Sequence, residues 1–410
     1  MSGATLTTRR TTFRLGVDGG EPLRTTPFAP WPSFEADEIE AATNVLRSGK
    51  VSYWTGEEGR LFESEFATYN GTRRAIAVAN GSVALELALY ALEVGPADEV
   101  ITTARSFIAS ASCCMMRGAK PVFADVDRGS QNVTAETIRW AITPRTKAII
   151  VVHLAGWPAD MDPILELAHA HNLFVIEDCA QAHGARYKGR AVGSIGDIGA
   201  FSFCQDKIMS TGGEGGMVTT NSEELWLRAW AFKDHGKSLK AAHRRDHAPG
   251  VRIHESIGTN WRLTEKQSAL GRILLRKLDR RVEKRRHFAK MLTDAFAKIA
   301  PLRPAVPPEE AHHSYYKYSV FVRPEKLREG WNRDRIVSAI RAEGIPCSSW
   351  SCSEIYLENA FEGVRPEGRL PVAKELGETS LMFLVHNTLS DRDVRDTIAA
   401  AQRVMAHAGR

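Results

Sequence analysis

Four side chains that could do chemistry together follow short apolar segments of the chain. The four residues, each with the segment before it, are Ser82 after AIAVA (75–79), Phe107 after EVITT (99–103), Asp178 after LFVIE (173–177) and Lys207 after GAFSF (199–203). They offer a hydroxyl, an aromatic ring, a carboxylate and an amine. A hydroxyl at the start of a helix suits a phosphate, and an amine in a pocket can act as a nucleophile.

Each of the four residues has an ordinary structural explanation when it is considered alone. Ser82 and Asp178 could cap the helices that follow them, and Asp178 could also bind a cation. Phe107 could pack in the core, and Lys207 could be a solvated surface charge. The glycine run GGEGG (212–216) is not a Walker loop, because no GK[ST] follows with that spacing. It indicates instead a backbone that must approach something closely.

Together, the four side chains fit pyridoxal 5′-phosphate (PLP). This cofactor needs a lysine for a Schiff base and an acid that keeps its pyridine nitrogen protonated. It also needs donors for its phosphate, and an aromatic plane against its ring is helpful. Lys207, Asp178, Ser82 and Phe107 could supply all four.

The elements that must position these residues form an alternating pattern of strands and helices. Strands are predicted over 75–79, 99–103, 121–126, 148–154, 173–177, 199–203 and 216–220, and helices over 34–48, from Ser82, from Ser106 and over 161–171. The strands are continuously apolar, as in a parallel sheet that is covered on both faces. The pattern predicts an open α/β domain with ligands bound beyond the carboxyl ends of its strands.

The last third of the chain predicts a smaller α+β domain. Its elements are a long basic helix over 264–300, a strand over 318–322 and helices over 333–344 and 391–407. We therefore expect an N-terminal arm (1–30), a large cofactor-binding α/β domain with a mostly parallel open sheet (31–275) and a small C-terminal α+β domain (276–410).

With these motifs in place, the sequence resembles the sugar aminotransferases of the DegT/DnrJ/EryC1/StrS family, which have PLP fold type I. The matching segments are NGSVALELAL (80–89), GPADEVITTARSFIASA (95–111), HLAGWPADMD (153–162), EDCAQAHGARYKG (177–189), FSFCQDKIMSTGGEGGMVTT (201–220), KDHG (233–236) and GTNWRLTE (258–265). The resemblance covers about residues 30 to 410 and weakens in the last third.

The resemblance implies a role for each matching residue. Lys207 would form the Schiff base with the cofactor, and Asp178 would pair with the pyridinium nitrogen. Phe107 would stack on the ring, and Gln181 would lie near its hydroxyl. The residues that would hold the phosphate are Gly81, Ser82 and Ser202.

The resemblance also implies a homodimer, because members of the family share each active site between two subunits. Asn260 would reach the phosphate of the partner's cofactor, and Arg262 would contact the substrate there. The first position of NGS, which is often Ser in the family, is Asn80 here. The segment SSWSCSEIY (348–356) departs from the usual pattern.

The implied activity is transfer of an amino group from L-glutamate, or glutamine, to a nucleotide-linked keto sugar for amino-sugar biosynthesis. Some members replace the lysine with histidine and catalyse dehydration, whereas this chain keeps Lys207. One alternative is a keto-inositol aminotransferase that acts on a scyllo-inosose in aminoglycoside biosynthesis. Another is a PLP-binding regulatory protein without catalytic activity.

Charge gives little support to a polyanion-binding protein. The chain has 410 residues and a net charge of +5, which suits a small anionic ligand. Its most basic segment, 272–290, could form a nucleic-acid-binding face. Interleaved leucines favour instead an amphipathic helix with a solvated basic face. We therefore expect no nucleic-acid partner.

The remaining composition predicts a cytoplasmic protein without a metal site or a membrane span. None of the six cysteines forms CxxC, and most lie in apolar runs, which indicates reduced, buried thiols. The pairs His169/His171 and His312/His313 do not share a helix face, so neither predicts a metal site. No apolar run approaches the ~18 residues of a transmembrane helix. The first 16 residues contain three arginines and no acid, and we expect an unstructured arm in preference to a mitochondrial presequence.

Overall fold

Fourteen strands, grouped into three sheets, form the framework of the described chain. The computed structural model describes residues 14–239, 253–349 and 353–410. Its strands are β1 (Arg74–Val78), β2 (Glu99–Thr103), β3 (Lys120–Ala124), β4 (Thr146–Val152), β5 (Phe174–Asp178), β6 (Arg186–Tyr187), β7 (Arg190–Ala191), β8 (Ile198–Ser202), β9 (Gly216–Thr220), β10 (Leu302–Pro304), β11 (Ala311–His312), β12 (Tyr318–Val322), β13 (Cys347–Ser348) and β14 (Ser380–Phe383).

The large sheet has seven strands in the order β1-β9-β8-β5-β4-β2-β3. The strand β9 pairs antiparallel with both of its neighbours, and every other pair is parallel. Six strands therefore run in one direction, and their carboxyl ends meet at one edge. The strands β2, β8 and β9 are buried along their whole length, because helices cover both faces of the sheet.

Twelve α-helices, besides five short 3-10 helices, lie in the described residues. They are α1 (Ala36–Ser48), α2 (Glu58–Asn70), α3 (Gly81–Ala91), α4 (Ala109–Met116), α5 (Ala135–Arg139), α6 (Met161–Ala170), α7 (Glu223–Lys233), α8 (Glu265–Arg276), α9 (Leu278–Phe296), α10 (Arg333–Ala342), α11 (Pro371–Thr379) and α12 (Asp391–Ala408). Together with the large sheet they give an α/β architecture with a mostly parallel open sheet, as the sequence predicts.

A second, antiparallel sheet in the order β10-β12-β14-β13 lies in the C-terminal part. Its apolar core includes side chains of α9, α10 and α12. The chain from Arg14 onward also packs here, since Leu15 is fully buried in this core. Arg24 forms ion pairs of 2.8 Å with Asp393 and 2.7 Å with Asp396. Residues 1–13 of the expected arm lie outside the described residues, and the domain limits stay predictions.

The predicted strands agree with the structure to within two residues, but the predicted helix over 264–300 is wrong as a single element. The chain leaves the helix at Lys277, between α8 and α9. Neither Pro nor Gly causes this break. At this residue the ammonium of Lys277 contacts three carboxylates at the start of α1, Glu35 at 2.9 Å, Asp37 at 2.7 Å and Glu38 at 3.1 Å.

These contacts also correct the expectation of a solvated basic face over 272–290. Arg281 is buried and pairs with Glu38. Arg272 pairs with Glu58 at 2.8 Å and with a second carboxylate on α2. Arg285 is 1% exposed. Much of the positive charge in this segment is therefore used inside the fold.

The carboxylate of Glu177 fixes the end of β5 to the chain that leads into β8. It accepts hydrogen bonds from the backbone amides of Gly193 (2.9 Å), Ile195 (2.7 Å) and Gly196 (2.7 Å). The ring of His153 lies 3.0 Å away, and its other nitrogen accepts from Ala159. Burial alone would raise the pKa of Glu177, but these hydrogen bonds lower it below its usual value.

No helix in the described part of the chain is long and apolar enough to cross a membrane. The five cysteines that the structure describes are free thiols, four of them buried. The sixth, Cys352, lies outside the described residues.

The Glu177 network predicts a defined loss of stability. We expect Glu177→Gln to lower the free energy of unfolding by about 2–4 kcal/mol at neutral pH, because one backbone amide loses a buried acceptor. Since the folded-state pKa of Glu177 lies below the unfolded value of 4.5, the wild-type network is complete above pH 4.5 and weakens as pH falls through the folded pKa. The variant should lack this part of the acid destabilisation. Urea unfolding across the acid range measures both effects.

Glu166→Gln, on the exposed side of α6, is the matched control. It should leave stability within about 0.5 kcal/mol of wild type. Equal effects of the two substitutions would contradict the proposed role of Glu177.

Candidate active site

A cleft of about 920 Å³ opens at the carboxyl ends of β5 and β8. The predicted site residues that line it are Gly81, Ser82, Phe107, Asp178, Gln181, Ser202 and Lys207. Because β5 and β8 are parallel neighbours, their last residues, Asp178 and Ser202, lie at the same edge of the sheet. The other two predicted residues, Asn260 and Arg262, do not line this cleft.

The N-terminus of α3 forms one end of the cleft. Asn80 caps this helix by accepting a hydrogen bond from the amide of Val83 at 3.0 Å. The amides of Gly81 and Ser82 remain available at the positive end of the helix, where an anion is favoured. A Cβ added at Gly81 would lie 2.4 Å from the Cβ of Ser202. Glycine therefore allows the helix start and the end of β8 to converge on one phosphate-sized position.

Asp178, the last residue of β5, is 4% exposed. The hydroxyl of Ser110 donates to one carboxylate oxygen at 2.7 Å, and the amide of Ala180 donates to the other at 3.1 Å. Burial raises the pKa of Asp178, while the Ser110 hydrogen bond and the charge of Lys207 oppose that rise. A buried carboxylate of this kind is stabilised by a positive group close to it, such as a pyridinium nitrogen.

Two further residues line the space between Asp178 and the cleft mouth. The side-chain oxygen of Gln181 accepts from the amide of Ala155 at 2.8 Å, which fixes the position of this buried side chain. Phe107 is 59% exposed, so the core-packing explanation for this residue is wrong. A large aromatic ring exposed within a cleft is suited to stacking against a planar ligand.

Lys207 lies in the loop between β8 and β9. Its Nζ is 3.5 Å from the hydroxyl of Tyr316 and 3.6 Å from a carboxylate oxygen of Asp206. Tyr316 donates its own proton to the other oxygen of Asp206. Burial, reinforced by Asp206, raises the pKa of Tyr316 far above its usual range, so the hydroxyl stays protonated. The Tyr316 oxygen therefore acts toward Lys207 only as an acceptor.

Asn260 and Arg262 lie on the segment that precedes α8. Asn260 is exposed and forms a backbone bridge with Asp234. The guanidinium of Arg262 pairs with the buried carboxylate of Asp234, which also accepts from Trp54 at 2.8 Å. Both residues are thus held in place by their own chain but do not line its cleft.

Several residues that line the cleft are not predicted from the sequence. Ser110, Asp206, Tyr316 and Lys317 line the cleft but are not among the predicted site residues. The one available signal was the position of Asp206 directly before Lys207. Tyr316 and Lys317 lie just before β12, about 110 residues later, so only the folded chain brings them close to Lys207.

Two groups of potential metal ligands occur among the described residues, and both have their own partners. One is His153, Glu177 and Cys179, in which Glu177 already accepts from backbone amides. The other, at the start of α1, surrounds the ammonium of Lys277. Within the described chain, neither group includes the histidine pairs singled out from the sequence.

Comparison with known proteins shows the family to which the chain belongs. A model of the DegT/DnrJ/EryC1/StrS aminotransferase family matches residues 32–402. The chain belongs to this family.

Similar proteins cover almost the whole chain. An aminotransferase from Psychrobacter cryohalolentis, known from its X-ray structure, is 55% identical in sequence to this chain. The two structures have a TM-score of 0.90, and the match covers 93% of this chain and 99% of that one. A UDP-N-acetyl-3-dehydro-alpha-D-glucosamine 3-aminotransferase of Acidithiobacillus ferrooxidans is 36% identical over 87% of this chain and 90% of its own length. An L-glutamine:2-deoxy-scyllo-inosose aminotransferase of Streptoalloteichus tenebrarius is 35% identical, covering 96% and 98%.

As a member of the DegT/DnrJ/EryC1/StrS family, the chain is a PLP-dependent aminotransferase of the amino-sugar type. Its cleft fits the cofactor on structural grounds. The close approach of Gly81 to Ser202 leaves free amides for a phosphate. The buried Asp178, with its raised pKa, suits a cationic ring nitrogen. Lys207 projects into the same cleft.

The contact at Gly81 predicts the behaviour of a single substitution. We expect Gly81→Ala to weaken PLP binding by roughly tenfold or more, because the new methyl group separates the start of α3 from Ser202 and removes phosphate contacts. Titration of the cofactor-free protein with PLP, followed by fluorescence quenching, gives the affinity.

Gly95→Ala is the matched control, since a Cβ at Gly95 meets no atom within 4 Å. It should leave the affinity unchanged. Unchanged affinity in Gly81→Ala as well would refute the phosphate position.

Proposed function

We propose that this enzyme transfers an amino group from L-glutamate or L-glutamine to a nucleotide-linked keto sugar. The observation that carries the proposal is the convergence of Lys207, Asp178 and the α3 N-terminus in one cleft. The Acidithiobacillus relative, whose name specifies a UDP-linked keto sugar, supports the acceptor class. The Streptoalloteichus relative is named for L-glutamine as donor.

The side chains of the cleft divide the work of the reaction. When bound, PLP supplies the electron sink for reaction at the amine-bearing carbon of a substrate. Asp178, held by Ser110, keeps the ring nitrogen protonated. Lys207 takes and returns a proton at Nζ as general base and acid. The acceptor oxygens of Tyr316 and Asp206 orient that amine whenever it is free of the cofactor.

A second acceptor class has specific support. The inosose aminotransferase of Streptoalloteichus tenebrarius matches 96% of this chain, so a keto-inositol is the alternative to a nucleotide-linked sugar. Substrate competition separates the two. Amination of a UDP- or TDP-linked keto sugar in preference to scyllo-inosose supports our proposal, and the reverse preference supports the alternative.

We further infer a homodimer with shared active sites. Asn260 is exposed and does not line its own cleft, which leaves its amide available to a second subunit. Arg262 is fixed beside it by Asp234. In the dimer, Asn260 reaches the partner's cofactor phosphate and Arg262 the substrate bound there. The cytoplasmic location stays a prediction from the sequence.

The donor half-reaction can be followed by absorption spectroscopy of the purified PLP-loaded enzyme. L-Glutamate or L-glutamine should convert the visible band of the lysine-bound cofactor into the band of its amine form. Lys207→Ala should lack the lysine-bound band. A wild-type spectrum that neither donor changes would refute the donor assignment, and failure to take up PLP would refute the cleft assignment.

Mixing inactive variants tests the shared site. Lys207→Ala and Asn260→Ala should each be nearly inactive, because each lacks one component of every site. Heterodimers formed from the two variants contain one intact site if Asn260 acts on the partner. Random pairing should then restore about 25% of wild-type activity. No recovery in verified heterodimers would show that Asn260 does not act across the interface.

A further inference from the structure

A second cavity, of about 610 Å³, adjoins the cofactor cleft. It lies between residues 24–31, α10 and the C-terminal sheet. Asp206 and Lys317 line both spaces, so the two communicate at these side chains. A substrate group that extends away from the cofactor can therefore occupy the second cavity while its reacting carbon stays near Lys207.

Lys317 stands at this junction without a counter-ion. It directly precedes β12, and its side chain is half-buried. Within the described chain it has no hydrogen bond or ion pair, and its contact is the ring of Tyr316, 4.9 Å from Nζ. Burial lowers the pKa of Lys317 to about 8; the charge of Asp206 opposes this decrease, and the charges of Arg285 and Lys207 add to it. The folded protein therefore leaves a poorly solvated cation facing ligand space, which an anion would stabilise.

The surrounding charges do not neutralise it. Asp206, the acid that lines both spaces, already accepts the proton of Tyr316 and lies near Lys207. Behind the cavity wall, Arg285 stacks over Trp31 at 5.3 Å and bonds to the carbonyls of Tyr315 and Tyr316, with no carboxylate partner in the described chain.

The nearby His386 adds no positive charge at neutral pH. Burial lowers its pKa to about 3, and the positive charges of Arg285 and Lys317 add to the effect. Lys317 and Arg285 thus outnumber Asp206, the one carboxylate of the described residues that lines both spaces, so the junction is positive. The phosphate of the cofactor has its own donors at the start of α3, so it does not serve this position.

We propose that Lys317 binds an anionic group of the substrate at the junction of the two cavities and thereby determines which substrates the cleft accepts. The ligand chemistry is a carboxylate or a phosphate, supplied by the amino donor or by the nucleotide of the acceptor. The inference rests on the proposed function, which supplies both kinds of group. It assigns Lys317 to substrate binding and leaves cofactor binding to the residues described above.

The test compares Lys317→Met, Lys317→Arg and wild type as PLP-loaded enzymes. Lys317→Met removes the charge and keeps a long side chain, whereas Lys317→Arg keeps the charge. Lys298→Met, at an exposed position that lines neither cavity, is the matched control. The first measurement is the L-glutamate concentration that gives half-maximal conversion of the cofactor band. The second is the dissociation constant of UDP, GDP and dTDP, with inorganic pyrophosphate as the simplest probe.

We expect Lys317→Met to weaken one of these by roughly 10- to 100-fold, with Lys317→Arg within about fivefold of wild type and an unchanged PLP spectrum. A change confined to glutamate assigns the carboxylate of the donor, and a change confined to the nucleotides assigns the diphosphate. Changes under twofold in both measurements, or wild-type enzyme that binds none of the anions, would overturn the inference. Failure of the proposed function is seen separately, as a wild-type cofactor band that no donor converts.

Discussion

The structure depends on keeping one negative charge in the interior, at the end of β5. Asp178 is almost completely buried, and burial disfavours its charged form. Hydrogen bonds from the hydroxyl of Ser110 and the amide of Ala180 offset part of that cost. The remainder is offset only when a cation lies beside the carboxylate. The cofactor ring and the cleft residue Asp178 are therefore complementary in charge.

The strands and segments next to Asp178 hold its carboxylate in a fixed position. Glu177, its neighbour in sequence, points to the opposite side of the strand and ties β5 to the segment before β8. The strand β8 in turn leads to Lys207, and β9 returns alongside it in the reverse direction. One set of paired strands thus fixes Asp178, Ser202 and Lys207 relative to each other.

The strands of the large sheet and the residues at their carboxyl ends could be predicted from the sequence, whereas contacts between distant segments could not. Continuous apolar runs and the residues after them were sufficient to place Asp178 and Lys207 at one edge, whereas Ser202 was implied only by the family resemblance. The break at Lys277 could not be predicted in the same way, because it coincides with contacts to carboxylates about 240 residues earlier in the chain. The hydroxyl of Ser110, on α4, donates a hydrogen bond to Asp178 at the end of β5, and the local sequence does not indicate this contact. Tyr316 and Lys317 line the cleft from the segment just before β12, and the sequence there has no local pattern that indicates a site.

Because segments of two sheets form the cleft, substitutions in one segment need not affect the residues that the other contributes. The predicted cofactor-facing residues of the cleft lie at or just after the ends of the large-sheet strands, whereas Tyr316 and Lys317 directly precede β12 of the C-terminal sheet. Substitutions in this second segment can reshape one wall of the cleft without altering the spacing between Asp178 and Lys207. The same arrangement of reactive groups can therefore serve clefts of different shape over evolutionary time, because one wall of the cleft is encoded in a separate part of the chain.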